Sequence, residues 1–106
     1  MTERGALTEG VFFILLSMLE PRHGYAVMQN IARLTGGRLV LGAGTLYGAI
    51  NVLLEKRWIR AVARAGSSRK KEYVITDLGR RVLDDELRRL EEIISIGENE
   101  LRSTTT

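Results

Sequence analysis

The sequence predicts a mainly α-helical (α+β) domain with a small β-hairpin, the architecture of a winged helix-turn-helix followed by one long helix. Three observations carry this prediction. Apolar residues recur at helical spacing in four segments of the 106-residue chain. After Trp58 the pattern alternates with a period of two, as in a half-buried strand. The last helical segment continues for roughly 25 residues, longer than a small core can cover, and therefore indicates a homodimer.

Composition restricts the classes of function. A chain of this length with 44% apolar residues forms one domain whose small core leaves the monomer only marginally stable. It contains no cysteine and one histidine, which excludes disulfides and the usual zinc sites. It has no run long enough to span a membrane and no basic region preceding a signal-type apolar segment. We therefore expect a soluble cytoplasmic protein that needs no metal or cofactor.

Charge is divided unevenly along the chain. The net charge of +3 combines +6 in residues 1–75 (11 Lys or Arg against 5 Asp or Glu) with −3 in residues 76–106 (5 against 8). A basic N-terminal part and an acidic C-terminal part indicate that only the N-terminal part binds a polyanion. We accordingly predict a DNA-binding winged helix-turn-helix at residues 1–75 and a dimerisation helix with its tail at residues 76–106.

Two helices precede the segment that is predicted to contact DNA. The first spans about Thr8–Leu19, with Thr8 as its N-cap, and is apolar on nearly every side. Such a helix must be covered on more than one side, so a partner chain is expected to contact it. The second spans about His23–Thr35 and ends at two glycines. An extended link at residues 39–41, predicted as a short edge strand, then leads into the third helix.

The stretch from Gly42 to Trp58 is predicted to form the DNA-recognition helix. Its exposed face begins with small and polar residues, which suit a helix that enters a DNA groove. Asn51 is the best candidate for reading a base, because its amide can bond an adenine edge in two places. Gly42 at the N-cap offers no side-chain oxygen, which leaves the first N–H groups available to a phosphate. The predicted contacts are Gly44, Thr45, Tyr47, Gly48 and Asn51.

A basic hairpin follows this helix. Residues 59–65 and 70–75 are predicted to be its strands, and residues 66–69 its turn. Alone, such a hairpin is an ordinary solvated loop, but directly after a recognition helix it is interpreted as a wing that contacts the DNA backbone or minor groove. Trp58, just before it, is expected to cap the core rather than stack on a ligand. The wing residues predicted to contact DNA are Arg64, Ser68, Arg69, Lys70 and Lys71.

The last helix is predicted from its N-cap, Thr76, to about residue 101, ahead of a disordered tail at residues 103–106. Its leucines and isoleucines alternate at spacings of four and three, the heptad pattern of a helix–helix seam. Packing on its own domain would give the same spacing, but the length of the helix favours dimerisation. The predicted interface residues are Phe12, Leu15, Leu16, Leu83, Leu87, Leu90, Ile94 and Gly97.

Gly97 interrupts this seam where a large residue is expected. One reading is that the glycine lets two helix backbones approach closely. The other is that it leaves a gap beside Ile94 that a small apolar ligand fills. The sequence favours neither reading.

Four groups of residues carry a family resemblance. They are His23-Gly24-Tyr25, Gly44-Thr45-Leu46-Tyr47, Leu54-Glu55-Lys56 with Trp58-Ile59, and Arg69-Lys70-Lys71-Glu72-Tyr73 with Thr76-Asp77-Leu78-Gly79. In this order and spacing, over about residues 7–90, they resemble the PadR family of bacterial transcriptional regulators, in its short branch with one C-terminal helix. The resemblance implies a homodimeric repressor that binds an inverted-repeat operator in double-stranded DNA. In several members a small aromatic or drug-like effector, held at the subunit interface, releases the DNA.

The chain departs from the family pattern around the third helix. The family usually has Ser-Pro before Gly-Thr-Leu-Tyr and a proline after it, where this chain has Gly42-Ala43 and Gly48. Gly48 costs roughly 0.5–1 kcal/mol of helix stability relative to alanine. It also removes any proline-driven kink, which puts the angle of the helix in the groove in question.

An enzymatic function is not expected. The single histidine lies at a helix start, where a capping role explains it better than acid–base catalysis. Gly42-x-Gly44 lacks the third glycine and the parallel strands of a nucleotide-binding fingerprint. Two classes of function remain: sequence-specific DNA binding, and a winged helix used only for protein interaction. The basic wing and the polar first turn of the third helix favour DNA binding.

Overall fold

The computed structural model describes residues 5–62 and 71–104, and the statements below concern these residues. The described residues form four helices and a small three-stranded antiparallel sheet, which confirms the predicted winged-helix fold class. The elements in chain order are α1 (Glu9–Ser17), β1 (Arg22–His23), α2 (Gly24–Leu34), α3 (Ala43–Glu55), β2 (Ile59–Val62), β3 (Glu72–Ile75) and α4 (Asp77–Thr104).

Three of these helices begin at a side-chain cap. The cap accepts a hydrogen bond from an N–H of the first turn, which has no partner within the helix. The two predicted threonine caps are confirmed, and the single histidine is also a cap rather than a catalytic group. The bonds run from Val11 N to Thr8 Oγ1 (3.1 Å), from Ala26 N to His23 Nδ1 (3.3 Å) and from Gly79 N to Thr76 Oγ1 (3.0 Å).

The link between α2 and α3 differs from the prediction. α2 ends at Leu34 with Thr35 as its C-cap, and the φ angles of the following Gly36 and Gly37 (61° and 83°) lie in the left-handed region that favours glycine. Residues 39–41 do not form a strand. Instead, Leu39 N donates a hydrogen bond to the Thr35 hydroxyl (3.1 Å), so that the link is held against the end of α2.

The third strand of the sheet is β1, which was not predicted. The strand order is β1-β3-β2, and the pairs Arg22↔Tyr73 and Ile59↔Ile75 set the register of the two ladders. The predicted alternation buries Ile59, Tyr73 and Ile75 against the helices, but Ala61 is exposed. Because β1 leads directly into α2, the sheet fixes the position at which α2 begins.

One hydrophobic core joins α1, α2, α3, the sheet and the first turns of α4. The start of α4 belongs to this core, through Val82 and Leu83. The buried apolar residues are Ile14, Leu15, Met18, Val27, Ile31, Leu46, Ile50, Leu53, Ile59, Tyr73, Ile75, Val82 and Leu83.

Two residues predicted for the dimer interface are part of this core. Leu15 is 0% exposed and Leu83 is 5% exposed within the single chain. Neither side chain has surface left for a partner, so both must be removed from the predicted interface. The error arose because the inner positions of a seam have the same spacing whether they pack on the chain's own core or on a partner.

α4 extends well beyond the core. It has 28 residues, about 42 Å of helix, and the longest dimension of the chain is 64 Å. The helix continues through Ser103 and Thr104, which were predicted to be disordered, and every residue from Glu91 to Thr104 is exposed. No helix in the described ranges is long and apolar enough to cross a membrane.

Gly79 gives the first testable prediction. A Cβ at Gly79 would lie 2.2 Å from the backbone oxygen of Trp58, which cannot move away as a flexible side chain can. Gly79→Ala should therefore lower the free energy of unfolding by about 1–3 kcal/mol, measured by urea denaturation. Gly48→Ala is the matched control, because a Cβ there meets nothing within 4 Å. It should raise stability by roughly 0.5–1 kcal/mol. Equal stabilities for the two variants would contradict the close approach.

Candidate nucleic-acid interface

The exposed face of α3 presents the side chains that were predicted to contact DNA. Gly44, Gly48 and Asn51 follow one another at helical spacing, and Thr45 lies to one side of them; all four are exposed. The opposite face, with Leu46, Ile50 and Leu53, is buried in the core. The structure therefore holds the polar face of α3 outward on a rigid element.

The glycines at the start and on the outer face of α3 make no close contact with the described residues 5–62 and 71–104. A Cβ added at Gly42, Gly44 or Gly48 would meet no heavy atom within 4 Å. None of the three has a positive φ, so no turn requires glycine at these positions either. Gly42 also leaves α3 without a side-chain cap. The face is thus small and its N-terminal N–H groups are uncapped, which suits the close approach of an external surface.

Tyr47 joins the first turn of α3 to the start of α2. A Cβ at Gly24 would lie 2.3 Å from the Tyr47 hydroxyl and 2.6 Å from Cζ, so only glycine allows the ring to lie there. The ring is nevertheless 45% exposed. Tyr47 therefore packs against α2 and still presents part of its surface outward. This contact explains why the His-Gly and Gly-Thr-Leu-Tyr motifs occur together.

The base of the wing lies beside the same corner. His23 pairs with Glu72 in the sheet, which places the start of α2 next to the beginning of β3. Lys71, directly before β3, is exposed. Three parts, namely the first turn of α3, the start of α2 and the base of the wing, are thereby brought together. The other predicted wing contacts, Arg64, Ser68, Arg69 and Lys70, lie outside the described residues.

Trp58 caps the core, as predicted. It is partly buried against the core cluster at the junction of α3 and β2. The Lys56 ammonium lies 5.1 Å from the centroid of its ring, which is cation–π geometry. The tryptophan therefore acts in packing rather than as part of the outward face of α3.

A second candidate region lies between α1 and α4. A cavity of about 370 Å³ there is lined by the T-shaped Phe12–Phe13 pair, Leu90 and a buried acidic group, Glu86. Glu86 is 2% exposed and accepts a hydrogen bond from Arg89 Nε at 2.9 Å, which raises the pKa of Arg89. Glu86 was not predicted, although an acid spaced four residues after Val82 on an apolar stripe was a signal for it.

The apolar stripe of α4 continues past this cavity. Beyond Leu90 every described residue of α4 is exposed. Gly97 lies within the stripe, and a Cβ at that position would meet nothing within 4 Å. From Leu87 to the end of α4, the exposed apolar side chains are Leu87 (38% exposed), Ile93 (49%), Ile94 (57%), Ile96 (58%) and Leu101 (71%).

The outward α3 helix beside the strands of a hairpin defines a winged-helix protein, and comparison with known proteins gives the family. Residues 14–85 match the transcriptional regulator PadR-like family, which covers more than half of the chain. The chain therefore belongs to the PadR family. Members of this family regulate transcription and are not enzymes.

Solved structures share the fold over most of the chain. A PadR family transcriptional regulator from Eggerthella lenta is 28% identical and superposes with a TM-score of 0.69, over 90% of this chain and 82% of that one. Bacillus subtilis PadR, solved in complex with operator DNA, is 21% identical with a TM-score of 0.59, over 74% of this chain and 45% of that one. At that identity the likeness shows the fold alone.

One curated relative is closer in sequence but much longer. An uncharacterised 37.1 kDa protein in transposon Tn4556 of Streptomyces fradiae is 38% identical over 66 residues. The match covers 62% of this chain but only 18% of that protein. The likeness therefore concerns one segment of that protein.

The contact between Gly24 and Tyr47 can be tested with a double-mutant cycle. Gly24→Ala should lower the free energy of unfolding by about 1–3 kcal/mol, because the new methyl group displaces the ring of Tyr47. In a Tyr47→Ala background most of that loss should disappear, since the obstacle is gone. Urea denaturation of the four proteins gives the coupling energy. Strictly additive losses would rule the contact out.

Proposed function

We propose that the chain is a repressor that binds an inverted-repeat operator in double-stranded DNA as a homodimer. In this proposal α3 enters the major groove and the wing contacts the adjacent backbone or minor groove. The observation that carries it is the outward face of α3, where glycines that no packing contact in the described part of the chain requires precede an exposed Asn51. Small residues allow a helix to approach the base edges closely, and an asparagine can read adenine there.

Electrostatics support the same surface. Residues 1–75 carry the excess of +6, while the excess of negative charge lies in residues 76–106. The uncapped N-terminus of α3 can accept a backbone phosphate, beside the Thr45 hydroxyl. The proposal includes DNA contacts by the wing, which rest on the basic sequence of the hairpin. The wing residues concerned are Arg64, Ser68, Arg69, Lys70 and Lys71. The B. subtilis relative, which was solved with operator DNA, lends the fold-level analogy.

Dimerisation is proposed through the far half of α4. One stripe of this helix is formed by Leu87, Leu90, Ile94 and Gly97. Much of that stripe is exposed in the single chain. Phe12 and Leu16 of α1 are only partly buried and provide further apolar surface. Contiguous exposed apolar surface of this kind marks interaction sites, and a second copy of the chain would cover it. An inverted-repeat operator requires the same twofold symmetry.

A small aromatic effector is part of the proposal. The cavity between α1 and α4 has aromatic walls and one ion pair, in which the buried carboxylate of Glu86 meets the partly exposed guanidinium of Arg89. This mixture of apolar and polar groups is typical of small-molecule sites. It lies next to the proposed dimer surface, so a ligand there would alter the packing of α4. Gly97 retains both of its predicted alternatives, a close helix contact or a ligand gap. A cytoplasmic, nucleoid-associated location follows from the proposed role.

Asn51→Ala tests base reading. Specific binding should weaken by about 1–3 kcal/mol, because the amide no longer bonds the adenine edge, while binding to random DNA stays nearly unchanged. The operator is first selected from genomic fragments, and gel shifts are then run on operator and scrambled duplexes at two salt concentrations. Asn99→Ala, an exposed amide on α4, is the matched control. Equal losses on both duplexes would remove Asn51 from base reading. If neither duplex shows a salt-dependent gel shift, the protein-interaction module is favoured instead.

Leu87→Glu combined with Leu90→Glu tests the dimer. Two carboxylates on the stripe would have to be buried against the partner, so the double variant should sediment as a monomer. It should also lose operator binding, because a monomer captures only one half-site. Ser95→Glu with Asn99→Glu adds the same charge on the opposite face of α4 and should leave the dimer intact. A dimer that survives the leucine substitutions would refute the assignment of the stripe.

A further inference from the structure

A second basic feature lies on α2, on the side of the helix that faces the end of α1 and β1. A cleft of about 220 Å³ is lined there by Arg22, Ala26, Gln29, Asn30 and Arg33. We propose that this cleft is an anion site that takes a phosphate group, and that in the DNA complex the group is a backbone phosphodiester beyond the contacts of α3 and the wing. The second part of this inference rests on the proposed DNA-binding function.

Both arginines of the cleft are held in place by one buried residue. Ser17, which is 0% exposed, accepts a hydrogen bond from Arg22 Nη1 at its carbonyl oxygen (3.1 Å) and one from Asn30 Nδ2 at its hydroxyl (3.0 Å). The other end of the Asn30 amide accepts two bonds from Arg33, from Nη2 (2.7 Å) and Nε (3.3 Å). The two guanidinium groups are thus anchored to Ser17, one directly and one through Asn30.

The charges of these two arginines are not neutralised within the described part of the chain. Neither Arg22 nor Arg33 has an acidic partner there, whereas Arg38, Arg88 and Arg89 are each paired with a carboxylate. Their hydrogen bonds go to neutral oxygens and leave further N–H donors for a ligand. Guanidinium groups match phosphate in bidentate geometry, and donors that are already ordered lose little entropy on binding.

The position of the cleft favours a phosphate of DNA. Arg22 is in β1, at the outer edge of the wing sheet, and pairs with Tyr73 of β3. β1 leads directly into the start of α2, where Gly24 lies under Tyr47 of α3. The cleft therefore begins one residue before the corner at which α2, α3 and the base of the wing meet. In this proposal a DNA backbone that passes the corner also contacts the cleft.

The DNA arm of the test uses a charge-matched pair of variants. Arg22→Gln with Arg33→Gln should weaken binding on the order of tenfold on operator and random DNA alike. It should also reduce the slope of log affinity against log salt by about 0.9 for each lost phosphate contact. Arg81→Gln with Arg88→Gln removes the same charge from an exposed face of α4 and should change the slope little. Duplexes with and without flanking base pairs locate the contact, because only the longer duplex should show the difference.

A phosphate arm separates the possible sources of the anion. Inorganic phosphate is titrated into the wild-type chain and the Arg22→Gln, Arg33→Gln variant, and backbone amide shifts of residues 17–33 are followed by NMR. Binding lost in the variant supports the anion site. If its DNA affinity and salt slope match those of the control, the site serves a free phosphate compound instead, and the DNA assignment is overturned. No phosphate binding together with an unchanged salt slope overturns the proposal entirely.

Two controls keep the outcomes distinct. If the wild-type chain binds no DNA, the proposed function fails, and the phosphate titration alone decides whether the cleft is an anion site. If the glutamine variant is unfolded by circular dichroism, Arg22→Lys with Arg33→Lys replaces it, because this variant keeps both charges but cannot form the bidentate fork. The lysine variant should bind phosphate several-fold more weakly than wild type. Equal binding would contradict bidentate recognition of the phosphate by the two guanidinium groups.

Discussion

The backbone carbonyl of Trp58 is the point on which the relative arrangement of α3, the wing strands and α4 depends. It accepts a hydrogen bond from Thr76 N at 2.9 Å and lies against Gly79, where any side chain would collide with it. The Thr76 hydroxyl donates to the carbonyl oxygen of Arg57 (2.7 Å), a residue in the left-handed conformation (φ 63°) just after α3. The end of α3, the start of the wing and the start of α4 are therefore joined through backbone groups. No one of them can shift without the others.

A second junction holds the opposite end of α3. Tyr47 lies on Gly24 at the start of α2, and His23 just before it caps α2 and pairs with Glu72 in the sheet. The recognition-type helix is thus fixed at its first turn and at its last. This has a physical consequence for the exposed face between the two ends. Because packing elsewhere orients α3, the residues on its outer face are free to be as small as Gly44 and Gly48.

How much could be predicted from the sequence depends on how far apart in the chain the interacting residues lie. Helix starts such as Thr8 and Thr76 were predicted correctly, because a cap is a contact between residues three apart. β1 was missed, since two residues carry no period and their partners lie about fifty residues away in the chain. Leu15 and Leu83 were misassigned because spacing identifies a buried face without saying what covers it. The open space around Gly44 and Gly48 and the hydrogen bonds around Ser17 could not be predicted from the sequence. Both depend on which residues lie nearby in the folded chain.

The junction at Trp58 also connects the proposed dimer to DNA spacing. α4 starts at a point fixed relative to α3 and continues as a helix of 28 residues. If two copies pair through the far half of α4, the helix transmits their separation to the two α3 helices as a rigid spacer. Half-sites of an operator lie about 34–36 Å apart or at multiples of that distance, so the crossing angle of the two α4 helices would select the operators that fit. If the proposed effector binds between α1 and α4 of such a dimer, a small change in that angle would move both α3 helices out of register with the operator.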